Sequence, residues 1–374
     1  LMRRTELKYL SALDFKTISE KQLVNKQMKI NEVLKYARTL NQHTQLYDIL
    51  KHRLINKGYI RSDKQKEDLN DLVLSELHLI ANNSYQGFEA QKLHLLFQAT
   101  YYLNSGNYKS AIRYYQELIN LFNDNQHLIL NPPIYYLSAI QGILDSLCIA
   151  GLYHETPFFL SKLEELTQNE YSTEFILHLK TLIYIYKSNS LLQAGNFEQA
   201  LELRDKQENE LLKKVTSLGL ESQLRLYLSF AVLGMYTKDY VQARKYMKKI
   251  FSLGKLFCAF PSYKIARLVN LLLQAELGNY DFFENEIISI KRNIRFEKQT
   301  YITEKLIFKF IQGYPLPSYE KARNKRWLQY QKDIQKIEQD KYERQLLKTF
   351  DVLAWIESKL TQRSLADIFA EKAH

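Results

Sequence analysis

Residues 101–118 read YYLNSGNYKSAIRYYQEL, and the placing of Gly106 between two aromatic stretches decides the fold. Forward from Gly106, the residues Ala111, Ile112, Tyr115, Leu118, Ile119 and Phe122 recur at steps of one, three and four, which is one apolar face of a helix. Backward, Leu93, Leu96, Phe97, Ala99, Tyr102 and Leu103 mark a second helix of about the same length. Gly106 is then the reversal of a helical hairpin. Lacking a Cβ, it takes left-handed backbone angles at a helix C-terminus without a clash. A lone hairpin leaves an apolar flank uncovered, so this one requires a neighbour.

The sequence supplies four more. AGLYHETPFFLSKL at 150–163 repeats the turn at Gly151 with Tyr153, and QAGNFEQALEL at 193–203 repeats it at Gly195 with Phe197 and Ala200. TKDYVQARKYMKKI at 237–250 keeps Tyr240 and Ala243 but has Lys238 at the glycine position. LGNYDFFENEI at 277–287 has Gly278 and Tyr280. Successive turns lie 45, 44, 43 and 40 residues apart.

These residues resemble the tetratricopeptide repeat. That pattern has a glycine closing the first helix, an aromatic two residues on, an alanine five residues on, and a bulky residue four after that. Gly106, Tyr108, Ala111 and Tyr115 match all four, and Gly195, Phe197 and Ala200 match three. Thr156 and Phe283 stand where alanine is expected, Arg204 stands at a bulky position, and the spacing exceeds the family's unit of about 34 residues. The resemblance implies an all-α fold, a right-handed superhelical array of antiparallel helix pairs, with a helical extension at each end. The boundaries expected are 1–87 for an N-terminal helical extension, 88–313 for the repeats and 314–374 for a C-terminal helical cap. GYPLPS at 313–318 is the densest cluster of helix breakers and sets the last boundary. Beyond it the apolar spacing fits either a cap over the last repeat or a coiled-coil arm.

Composition agrees with helices. Glycine (11) and proline (6) are too scarce for the many tight turns of sheet folds, and 46% hydrophobic content supplies a core. Cys148 and Cys258 lie in apolar helical patterns without paired spacing, and are expected as buried free thiols in a reducing compartment. The first 15 residues lack the apolar stretch of a secretory signal, and the longest apolar runs are too short to span a bilayer, so a cytoplasmic protein without membrane contact is expected. The net charge of +11 sits at the ends: residues 1–68 carry 15 Lys and Arg against 8 Asp and Glu, and residues 319–348 carry 9 against 5.

Phosphate-cradling glycine loops, dinucleotide fingerprints, HExxH and paired-cysteine patterns do not occur, and His78, His94 and His178 have no second ligand at helical spacing. No enzyme, cofactor or metal site is expected. What remains is a binding scaffold whose partner, a protein or peptide, lies in the groove of the array. In tetratricopeptide proteins the first helices line that groove, which nominates Gln141, Asp145, Asn189, Gln193, Arg225, Tyr236 and Arg267 as partner-binding. The family's clamp for a C-terminal carboxylate needs lysine and asparagine where this chain has Leu96 and Thr100, so that clamp is absent. Two alternatives stand beside the scaffold. One is a regulatory peptide-sensing receptor of the tetratricopeptide type. The other is nucleic-acid binding through the basic ends, especially KARNKRWLQYQK at 321–332, where Trp327 and Tyr330 offer stacking surfaces.

Overall fold

The computed structural model describes residues 2–57, 60–81, 87–254, 257–258, 260–297 and 301–372, and all five reversals fall within them. Gly106, Gly151, Gly195 and Gly278 have φ of 78°, 77°, 74° and 74°, and Lys238 follows at 61°. A lysine therefore occupies the left-handed region where its four counterparts are glycine, at a cost of roughly 1–2 kcal/mol. The turn geometry is kept by the hairpin even where the residue opposes it.

Ahead of the reversals run α1 (Met2–Ala12), α2 (Glu20–Lys57), α3 (Asp63–Glu67) and α4 (Asn70–Ala81). The pairs follow: α5 (Phe88–Asn104) with α6 (Tyr108–Asp124), α7 (Ile134–Ala150) with α8 (Thr156–Leu166), α9 (Thr173–Gln193) with α10 (Phe197–Lys213), α11 (Leu220–Tyr236) with α12 (Tyr240–Ser252), and α13 (Pro261–Glu276) with α14 (Asp281–Glu297). The chain continues through α15 (Ile302–Ile311), α16 (Glu320–Gln339), α17 (Arg344–Leu347), α18 (Val352–Thr361) and α19 (Leu365–Lys372). Helices make up 81% of the described residues, and no strand occurs among them.

Each first helix packs on its own second helix and on the first helix of the next pair, in the order α5, α7, α9, α11, α13 and then α15. The residue five after each reversal explains how the pairs close. Ala111, Thr156, Ala200 and Ala243 are all 0% exposed, so this position is sealed whether alanine or threonine fills it. Thr156 is accommodated because its hydroxyl donates to the Tyr153 carbonyl at 2.8 Å. Where Ala243 meets α11, the facing residue is Gly234, whose Cβ, if present, would stand 2.9 Å from the Ala243 nitrogen and 2.8 Å from the Asp239 oxygen. Phe283 in the last pair is the bulky exception, still only 7% exposed.

The two ends of this run meet. Arg61, between α2 and α3, places Nη1 3.6 Å from Glu304 Oε1 on α15, with both side chains almost fully buried, and its guanidinium lies 4.4 Å from the centre of the Tyr301 ring. Asp63 accepts from the Tyr342 hydroxyl at 2.8 Å and from Lys341 Nζ at 3.2 Å. Nearby, α2, α4 and α5 enclose Glu76, whose carboxylate lies 2.6 Å from His94 Nδ1 and 3.5 Å from His43 Nδ1. Burial would raise this carboxyl, but the two imidazoles hold it below its ordinary value. Buried apolar residues form one continuous cluster from Tyr47 to Phe369.

Cys148 is buried as expected, whereas Cys258 is exposed. Cys258 belongs to a short turn ahead of Pro261, and the neighbouring Phe257, 2% exposed, takes the inward position instead. Residues 314–372 reach beyond one end of the run. After α16 packs on α15 and α18, the chain doubles back along the first helices, so that Lys341 lies against Gly106 and Ala366 against Gly195.

The reversals make separable predictions. Gly151 has open space where a Cβ would stand, so Gly151→Ala tests backbone strain alone and should cost about 1 kcal/mol. Gly195→Ala adds contact with the Ala366 carbonyl, 3.0 Å from the new Cβ, and should cost more. Lys238→Gly removes strain and should raise the denaturation midpoint. Chemical denaturation of the three variants checks the order. In the same assay Ala111→Leu should lose about 1–3 kcal/mol by overpacking, while exposed Lys109→Leu stays near neutral.

Candidate binding site

Offsets from the reversals organise the inner residues. Two positions before each turn stand Asn104, Ile149, Gln193, Tyr236 and Glu276, and all five meet the returning C-terminal segment or line a cavity beside it. The Asn104 carbonyl accepts from Gln345 Nε2 at 3.3 Å, the Tyr236 hydroxyl accepts from the Asp351 amide at 2.6 Å, and Glu276 takes Lys359 Nζ at 2.5 Å. Four and eight residues further back the same helix face continues. Asp145, Asn189 and Val232 form one row and Gln141, Ile185 and Leu228 the next, all lining a cavity of ≈ 220 Å³. A face recurring every fourth residue is what turn-aligned helices present to one side.

The segment that closes this cavity comes from 345–349. Gln345, Lys348 and Thr349 form its far wall. Asn189 Nδ2 donates to the Lys348 carbonyl at 3.2 Å, and the Tyr108 hydroxyl donates to the Lys341 carbonyl at 2.6 Å. A second cavity of ≈ 570 Å³ lies beside it, lined by Gln193, Ser190 and Gly151 on one side and Leu347, Asp351 and Lys372 on the other.

Asp145 is the electrostatic centre. Its Oδ1 lies 3.3 Å from Arg225 Nη2 and 3.2 Å from Lys348 Nζ, and accepts from the Tyr186 hydroxyl at 3.0 Å. Arg225 Nη2 also donates to the Tyr186 oxygen at 3.1 Å. Burial pushes the Asp145 carboxyl up, yet Lys348 and then Arg225 outweigh it and hold the group below its ordinary value. One carboxylate thus joins α7, α9, α11 and the C-terminal segment.

Of the nominated residues, Gln141, Asp145, Asn189 and Arg225 line the smaller cavity, Gln193 lines the larger one, and Tyr236 is buried under the stacked ring of Phe350, 5.0 Å away. Arg267 is not brought to this face. It bonds within its own pair, to Glu286 at 2.7 Å and Ser289 at 2.9 Å. Its offset explains this: eleven residues before the turn is one residue, or about 100° of helix, from the position Gln141 holds. Glu276 has the offset of Tyr236 and follows from the same rule. Tyr186 lies three residues before Asn189 on the same face. Lys348 and Gln345 carry no comparable signal, because their partners are some two hundred residues away in sequence.

At the basic C-terminal helix, Arg323 donates to the Pro317 and Ser318 carbonyls, Arg326 donates to the Gly313 carbonyl, and Tyr330 is 4% exposed against Phe310. Among the described residues no group of His, Cys, Asp and Glu is arranged to hold a metal, and no helix is long and apolar enough to cross a membrane. Compared with known proteins, the chain matches no family model, no curated sequence and no solved structure.

Asp145→Asn should destabilise the fold by about 3–5 kcal/mol at neutral pH, because it strands two largely buried cations. A depressed carboxyl pKa gives stability that is fully present above the ordinary value of about 3.9 and lost as pH falls through the folded value. The gap between wild type and variant should therefore be widest near pH 7 and narrow in acid. Urea titrations across that range measure it.

Proposed function

We propose that this chain is a tetratricopeptide-type superhelical repeat and a non-catalytic binding scaffold, whose first-helix face takes a polypeptide segment. The observation that carries this reading is how that face treats residues 341–351. On the first helices Asn189 donates to a backbone carbonyl of the segment and Tyr236 accepts from a backbone amide, and Tyr108, at the start of α6, donates to a further carbonyl. Backbone hydrogen bonds supply affinity that tolerates sequence, while pockets such as the one holding Phe350 supply register. In this state the chain's own segment is the occupant, which favours a regulatory form of the scaffold: a partner peptide competes with the segment for the same donors. Nucleic-acid binding is the weaker reading, since Arg323, Arg326 and Tyr330 are engaged within the fold.

Selection of a random peptide library on the full chain tests the proposal. Enriched peptides should bind more tightly to Phe350→Ala, which loosens the resident segment, and more weakly to Asn189→Ala with Arg225→Ala, which removes grips on the receptor side. A library that yields no enrichment on either wild type or Phe350→Ala, or affinities indifferent to Asn189 and Arg225, would overturn it.

A further inference from the structure

We propose that the face formed by α7, α9 and α11 reads a basic residue followed two positions later by an aromatic one, so that the partner it fits is a polypeptide repeating the pattern of Lys348, Thr349 and Phe350. This rests on the scaffold reading above and adds to it the chemistry of the partner.

Three features of the seated segment select that pattern. The first is the carboxylate under Lys348. The Asp145 side chain is only 15% exposed, and its Oδ1 takes Lys348 Nζ at 3.2 Å beside Arg225 Nη2 and the Tyr186 hydroxyl. Lys348 offsets more of the burial than Arg225 does, so a neutral side chain in its place leaves part of that burial uncompensated, and an acidic one adds repulsion. The second is the slot for Phe350. Its ring stacks on Tyr236 with centres 5.0 Å apart and planes 15° from parallel, and Trp355 closes the slot at 6.4 Å. Tyr236 is held in turn by Phe197 at 6.2 Å and Phe369 at 5.4 Å, so both walls belong to the core and a planar ring fits between them. The third is register. Asn189 donates to the Lys348 carbonyl at 3.2 Å, and the Tyr236 hydroxyl accepts from the Asp351 amide at 2.6 Å. These two bonds bracket the pattern, so a chain held by both sets its cation at Asp145 and its ring at Tyr236.

Neighbouring positions are read less strictly. Thr349 borders the cavity of ≈ 220 Å³ and Leu347 the one of ≈ 570 Å³, while Lys348 lies between the two and lines both. Other side chains therefore fit at 347 and 349 without displacing the face. The resident segment underfills its seat, so a partner with the same two anchors and bulkier residues beside them gains contacts that the segment lacks. Order matters as well as content. A chain carrying the aromatic first and the cation second sets a ring against the Asp145 carboxylate and leaves that carboxylate without its second cation.

Fluorescence anisotropy of a labelled peptide with the sequence of residues 341–352, titrated with the full chain as wild type and as Phe350→Ala, tests this. The peptide should bind Phe350→Ala with a Kd below about 100 μM, and at least about threefold more tightly than it binds wild type. Peptides carrying Lys348→Met, Phe350→Ala or these two residues exchanged should each bind at least about tenfold more weakly, whereas Lys348→Arg and Thr349→Val in the peptide stay within about threefold. Benzoylphenylalanine at the Phe350 position of the peptide should cross-link to α11 or α18. Because these substitutions lie in the peptide, the receptor's folding is untouched, and the same rank order on wild type carries the test should Phe350→Ala fail to fold. A parent peptide bound no better than its Lys348→Met and Phe350→Ala forms overturns the pattern, as does a parent peptide that binds neither protein at about 1 mM. Library-selected peptides that bind yet lack a basic residue two positions before an aromatic overturn the pattern and leave the scaffold reading standing. The scaffold reading falls with it only when the library also yields nothing.

Discussion

Each helix pair turns on one residue held at positive φ, and the rest of the molecule inherits that constraint. A reversal completed within three to five residues brings the second helix back close to the first. The position five residues later then has no room to spare, and Ala111, Thr156, Ala200 and Ala243 are sealed there. Close approach buries the aromatic flanks of each pair against the next, which is why the first helices stand in one row. It also fixes their phase, since a helix anchored at its end by the turn presents the residues two, six and ten positions earlier to one side. The face that receives the C-terminal segment is thus set by backbone geometry before any contact with the segment forms.

Much of this is legible in the chain because it is local. The signal for a reversal fits within ten residues, and even Lys238 can be located because Tyr240 and Ala243 keep their offsets. The same offsets bring Asp145 and Asn189 to one row and Gln193 and Tyr236 to another, and the departure of Arg267 by one residue is what removes it from the face. The return of residues 341–372 is not legible in the same way. Tyr108 finds Lys341 across 233 residues and Asp145 finds Lys348 across 203, and no periodicity encodes such pairs. The Glu76 site lies between these cases. Ligand spacing along a single helix does not reveal His43 and His94, which come from different helices. Yet Glu76 sits in phase with buried Leu72 and Leu79, and a carboxylate on an apolar face requires partners from elsewhere.

The way the returning segment is held differs along its length. Near residues 341–351 the grips are hydrogen bonds, one shared carboxylate and the stacking of Phe350 on Tyr236, whereas beyond Val352 the Lys359–Glu276 pair is joined by larger buried aromatics: Trp355 is 0% exposed against Phe310, and Phe369 packs on Phe197 and Tyr236. Polar grips exchange readily with water or with another polypeptide and contribute about 1 kcal/mol each, while buried aromatic side chains contribute several. Trp355 and Phe369 therefore anchor residues 352–372 in the core, and the stretch before them carries the larger share of polar grips.

That division bears on what the Asp145 cluster does. If Lys348 departs with its segment, Asp145 keeps Arg225 and the Tyr186 hydroxyl, so the carboxylate stays compensated and the repeat helices remain joined. The cation that leaves is the flexible lysine, and the one that stays is the arginine whose second bond to Tyr186 fixes its plane. Losing Lys348 removes the larger of the two cationic stabilisations of Asp145, and Arg225 with the Tyr186 hydroxyl offset the remaining part of its burial. The α7, α9 and α11 face thus keeps Asp145 joined to Arg225 and Tyr186 by bonds that do not involve the segment.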